Sequence, residues 1–149
     1  MRLAVLLVTA LISLLLIGSA RDVLSGEKSA SAKQVVAVGQ AIYVKQCARC
    51  HGDDLQGQPN FRQRLPNGKM PAPAHDETGH TWHHADWQLF EITKTGRQPF
   101  RPPEYKTDMP AYKDILTDEE IWAVLAFIKN SWPVNIQERQ SEFSRTMLR

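Results

Sequence analysis

Five consecutive residues, Cys47-Ala48-Arg49-Cys50-His51, constrain this chain more than any other stretch. C-x-x-C-H is the spacing at which two cysteine sulfurs reach two vinyl groups of one porphyrin, each forming a thioether. The histidine follows at once, so its imidazole is carried under the iron as the proximal ligand. The competing readings fit less well. A dithiol redox pair does not need the adjacent histidine. A tetrahedral zinc site wants a fourth ligand, and the chain has no third cysteine. One covalently attached haem c is therefore the expected cofactor, held by Cys47, Cys50 and His51. With both thiols so used, no cysteine remains for a disulfide.

The length of 149 residues suits one domain with extensions, and 42% apolar content is enough for a core. A net charge of +2 gives no nucleic-acid footprint. Leu3 to Ala20 is an almost unbroken apolar run preceded by Arg2. It reads as an export segment. Gly18-Ser19-Ala20 offers small residues for cleavage before Arg21, while the length reaches the lower end of a membrane span. The two fates, signal peptide or anchor through residues 3–20, stay open. Both place the folded domain on the exported side, in the periplasm, free or tethered to the inner membrane. The expected division is 1–20 signal or anchor, 21–33 linker, 34–133 domain and 134–149 tail.

Val35, Val38, Ile42 and Gln46 recur at helical spacing, with Gly39 and Tyr43 on the adjoining stripe. A glycine inside a helix is tolerated where another backbone must come close, and the terminal helix is there to cross it. After His51, the stretch Gly52 to Phe61 is a loop by its Gly and Pro content. A ligating histidine usually donates its second ring N–H to a carbonyl, and Pro59 sits where one could come from. Phe61 and Leu65 would cover the haem edge. Arg62, Arg64 and Lys69 either bond propionates or are solvated surface. Leu65 to Thr81 reads as a long irregular loop. His75, His80, His83 and His84 carry metal-ligand chemistry, yet their spacing fits no defined site. Packing and hydrogen bonding within the loop is the favoured reading.

Asp86 to Thr95 is a short helix with an acid in its first turn and Gly96 to close it. Residues 97–110 are again loop, ending in Thr107-Asp108-Met109-Pro110. A thioether opposite histidine holds low-spin iron and raises its potential, and the proline stiffens the loop presenting it. Met70, also followed by proline, is the rival. Met109 is preferred because the chain reaches it only after the middle helix, where it can return to the distal side. Thr117 to Glu120 is a capping box, and Ile121, Val124, Leu125 and Ile128 then repeat on one helical face, widened by Trp122 and Phe127. The tail is either disordered or an amphipathic helix with Ile136, Phe143 and Met147 on one side.

This order of parts resembles a class I cytochrome c domain over about Gln34 to Pro133. The resemblance rests on Cys47, Cys50, His51, the loop Gly57-Gln58-Pro59-Asn60, Asp108-Met109-Pro110 and the helix from Ile121 to Lys129. More narrowly, the stretches Gly79 to His84 and Met109 to Tyr112 look like exported mono-haem cytochromes of bacteria. The resemblance implies an all-α fold around one haem, with first and last helices crossing near Gly39 and the Val124/Phe127 face. It implies that Pro59 offers its carbonyl to His51. The expected function is one-electron transfer with His51 and Met109 as the iron ligands and no catalytic residues. The expected partners are a membrane-bound oxidase, a bc1-type complex or a periplasmic dehydrogenase. The alternatives are a haem enzyme or gas sensor with an open distal side, and a metal-handling accessory protein using the histidine loop.

Overall fold

The computed structural model describes residues 29–96 and 105–147. Among these residues the regular structure is entirely helical. Helix α1 covers 29–46, α2 Ala48–His51, α3 Asp86–Thr95, α4 Asp118–Asn130 and α5 Val134–Thr146, with one 3-10 turn at Thr81–His83. By its contacts the chain divides after Gln34, and the packing below is that of the second unit, from Val35 onwards. Residues 29–33, which the sequence reading gives to the linker, are already helical. Residues 1–28, which include the apolar run read as an export segment, and residues 97–104 lie outside the described residues. Among the described residues no helix is long and apolar enough to cross a membrane.

Helix α4 is the central element. Thr117 caps it as its sequence dictates: its Oγ1 accepts from Glu120 N at 3.2 Å, and its N donates to Glu120 Oε2 at 2.8 Å. Val124 and Ile128 enter one apolar cluster with Tyr43, Ala48, Leu55 and Trp132. Ile121 and Leu125 enter a second with Leu89, Tyr112 and Leu116. Ile42 packs against both. Each of these buried aliphatic side chains contributes about 2 kcal/mol of transfer free energy.

The crossing of α1 on α4 is backbone to backbone. A Cβ on Gly39 would stand 1.9 Å from Ala123 O, so only glycine fits. The crossing also decides which stripe of α1 is buried. Gly39 and Tyr43 are in the interior, whereas of the stripe that apolar spacing selects Val35 and Val38 are exposed and Ile42 and Gln46 only partly buried. Closest approach at a glycine outweighs side-chain hydropathy here.

Helix α5 departs from its apolar pattern in the same way. Ile136 packs against the core, but Phe143 and Met147 are exposed, and Gln140 is fully buried. The surface that α5 meets is polar. Gln140 Nε2 donates to Asp86 Oδ1 at 2.7 Å and to His84 O at 3.1 Å. Asp86 N, an unpaired donor of the first turn of α3, gives its proton to Ser144 Oγ at 2.8 Å. Lys129 Nζ bonds both Asp86 carboxylate oxygens, at 2.7 and 2.9 Å.

Burial alone would raise the Asp86 carboxyl, but Lys129, Gln140 and Ser144 outweigh it and hold it below its ordinary range. A depressed carboxyl adds stability above its unfolded pKa, and that stability is lost as pH falls through the folded value. Asp86→Asn is therefore expected to cost about 1–3 kcal/mol at neutral pH. The gap from wild type should narrow as the medium is acidified below about pH 4. Denaturant unfolding followed by far-ultraviolet circular dichroism at several pH values measures both.

Candidate functional site

The pentapeptide forms a tight turn entering one helical turn, α2. Cys50 N and His51 N both bond Cys47 O, at 3.0 and 2.9 Å, and Gly52 ends the turn with φ 82°. Cys47 and Cys50 are free thiols, both partly covered. Burial pushes the Cys47 thiol up to about 11, with Tyr112 opposing.

Two tyrosines hold the backbone on either side of this turn. Tyr43, fully buried on α1, donates its hydroxyl to Gly52 O at 2.8 Å. Tyr112 donates to Gln46 O at 2.9 Å and also meets the Cys47 sulfur. Burial pushes the Tyr112 hydroxyl up to about 12, so it remains a donor. Tyr43 stood on the α1 stripe beside Gly39, and Tyr112 within the Met-Pro-Ala-Tyr stretch. Neither was legible as a clamp, because a phenol's partner is set by tertiary approach.

His51 is buried, and its Nδ1 lies 2.8 Å from Pro73 O. A carbonyl only accepts, so the proton is on Nδ1 and the lone pair is on Nε2. Burial holds His51 below the ordinary imidazole range, with the Pro73 bond opposing, so the ring is neutral. This is the tautomer and charge that an axial iron ligand needs.

The carbonyl is Pro73's and not, as expected, Pro59's. Pro59 is exposed. Gly57 turns the chain at φ 70°, and Gln58 then pairs with Ala72 twice: Gln58 N donates to Ala72 O at 2.9 Å, and Gln58 Oε1 accepts from Ala72 N at 2.8 Å. This closure brings residues 72–74 past His51 in place of residue 59. The Pro71-Ala72-Pro73-Ala74 stretch was a second source of proline carbonyls, but nothing in its spacing says that the loop folds back.

Met109 is half-buried and packs on the cluster of Leu89, Tyr112, Leu116, Ile121 and Leu125. Its N donates to Thr107 Oγ1 at 3.0 Å. Met70 also comes to this segment: its N donates to Lys106 O at 3.4 Å, and Lys69 forms an ion pair with Asp108. The routing that separates the two methionines in sequence thus does not separate them in space. Arg62 and Arg64 donate to the carbonyls of Thr78 and Gly68, and Leu65 is largely exposed. Among the described residues no three His, Cys, Asp or Glu are grouped to hold a metal ion. His83 stacks on Trp82 and His80 meets His84 edge to face.

The family model described as Cytochrome c matches residues 36–132. The chain belongs to the cytochrome c family. No curated protein and no solved structure matches it. The match spans α1 from Val36, the pentapeptide, both loops, α3 and α4, and it ends at Trp132 before α5. The cofactor of a cytochrome c is covalently bound haem c, and the residues fit it. Two unpaired thiols stand at the required spacing, and a neutral histidine keeps its Nε2 lone pair unprotonated. The family's activity is haem-based electron transfer.

Gly57 couples the loop closure to His51. A Cβ there would come within 2.4 Å of Ala74 N and 2.6 Å of Pro73 C, at a φ that disfavours any side chain. Gly57→Ala should therefore push the Pro73 carbonyl away from His51. The Nδ1–H···O bond makes the ring a stronger donor, which favours ferric iron. Its weakening is expected to raise the reduction potential of this cytochrome c, read by spectroelectrochemical titration. The same substitution should cost about 1–3 kcal/mol in unfolding.

Proposed function

We propose that the protein is an exported one-electron carrier whose haem iron is held by His51 and Met109. The observation that carries this reading is the Tyr112 hydroxyl bonded to Gln46 O. It anchors the Met109-Pro110-Ala111-Tyr112 segment beside the residue preceding Cys47, a sequence separation of 66. A thioether three residues from that anchor supports Met109 as the second residue that would hold the haem. Pro110 and the Thr107 bond stiffen the segment that presents it.

When bound, the haem supplies one reversible electron. The chain's own residues do the rest. Cys47 and Cys50 fix the porphyrin covalently. Pro73 orients His51 and strengthens it as a donor. Met109, a soft sulfur donor, would favour the ferrous state and raise the potential. Held by both side chains, the haem would exchange electrons without binding oxygen or peroxide. The partners of such a carrier are redox proteins met in small, short-lived contacts: a membrane-bound oxidase, a bc1-type complex or a periplasmic dehydrogenase. The apolar run from Leu3 to Ala20 supports export, with the segment cleaved or kept as a tether.

The ligand assignment is tested on the oxidised holoprotein, by the weak far-red absorption band that a thioether on ferric haem iron produces. Met109→Ala is expected to abolish the band and to lower the potential. Met70→Ala is expected to keep the band. Loss of the band in Met70→Ala and not in Met109→Ala would transfer the role to Met70.

A further inference from the structure

The ring of His75 lies face to face with that of His51, with centroids 4.1 Å apart and planes inclined by 22°. It is held there from several directions. His75 Nδ1 is 2.8 Å from Thr81 Oγ1, whose own hydroxyl points at Ala74 O at 3.4 Å. Thr81 Oγ1 thus ties the His75 ring to the Ala74 carbonyl. The His75 backbone is fixed as well: its N donates to Leu55 O at 2.7 Å, and its O accepts from Trp132 Nε1 at 2.7 Å. Trp132 is itself buried in the cluster built on α4.

We infer that His75 is a positioning residue for His51, fixing the plane of the axial imidazole by contact with its face. The Pro73 bond defines the edge of the His51 ring but leaves it a hinge. A ring held by one hydrogen bond along its edge can still rock about that bond. A flat partner at stacking distance blocks the rocking on one side. Residues 73–75 would then hold the ligand by edge and by face from one short, well-anchored segment. The histidine loop thereby gains a role in the redox centre without binding a second metal.

The inference rests on His51 being the axial ligand, and its test separates the two claims. Wild-type oxidised holoprotein with a six-coordinate low-spin spectrum establishes the ligation first; a spectrum without histidine ligation overturns that reading independently of His75. The haem-methyl hyperfine shifts in the proton magnetic resonance spectrum then report the orientation of the imidazole plane. In His75→Ala these shifts are expected to change their pattern and spread, and the reduction potential is expected to rise. In His75→Phe, which restores a flat ring, both should return toward wild type. A merely structural role would lower the unfolding midpoint of His75→Ala and leave the hyperfine pattern and the potential where they were; that result overturns the inference. Should His75→Ala fail to assemble, Thr81→Val takes its place. It removes the hydrogen-bond partner of His75 Nδ1, so the ring should shift and the hyperfine pattern should change in the same direction. A wild-type pattern in Thr81→Val overturns the inference.

Discussion

The hydrogen bond from His51 Nδ1–H to Pro73 O joins the pentapeptide to a residue 22 positions further on, and much else in the structure serves it. It fixes the tautomer, so that Nε2 carries the lone pair. It exists only because the intervening loop closes on itself. Gly57 leaves the space that a Cβ would take from Ala72 to Ala74, and Gln58 clamps Ala72 through both backbone and side chain. The outer part of the loop, with Arg62 on Thr78 O and Arg64 on Gly68 O, is tied by its own side chains to carbonyls on the surface. A stretch that reads as irregular is thus determined residue by residue by hydrogen bonds rather than by periodicity.

The other half of the architecture places the turn that carries the two thiols. Gly39 brings α1 against the backbone of α4, which buries Tyr43, and Tyr43 then reaches Gly52 O. From the opposite direction Tyr112 reaches Gln46 O. The turn from Cys47 to His51 is held between these two phenols. The same tyrosine carries Met109 into the neighbourhood, so the proximal turn and the thioether segment are positioned by one contact. Helix α5 lies after the part of the chain that matches the family, and it adds a polar clasp. Gln140 reaches His84 O and Trp132 reaches His75 O, so the two ends of the histidine stretch are secured.

The sequence was informative where chemistry is local. C-x-x-C-H, the Thr117 capping box, the Gly96 stop at φ 67° and the face of Ile121, Val124, Leu125 and Ile128 depend on near neighbours, and each stands in the structure as expected, whereas Trp122, read as widening that face, is exposed. It misled where a contact between distant segments decides. Val35 and Val38 look like the buried stripe of α1, but the glycine beside them sets the crossing. Phe143 and Met147 look like the buried stripe of α5, but that helix docks on the unpaired polar groups at the start of α3. Pro59 is the nearer proline carbonyl, but loop closure delivers Pro73. In each case a backbone approach or a polar partner, invisible in spacing, outweighs hydropathy.

In the function proposed above, His51 and Met109 close both axial positions of the haem, and the chain carries electrons without binding small molecules at the iron. Resonance Raman spectroscopy of the holoprotein in both oxidation states, with carbon monoxide then added to the ferrous form, tests it most directly. Six-coordinate, low-spin iron is expected in both states, with a ferrous spectrum that carbon monoxide does not alter. A five-coordinate, high-spin ferrous form that takes up carbon monoxide at once would contradict it.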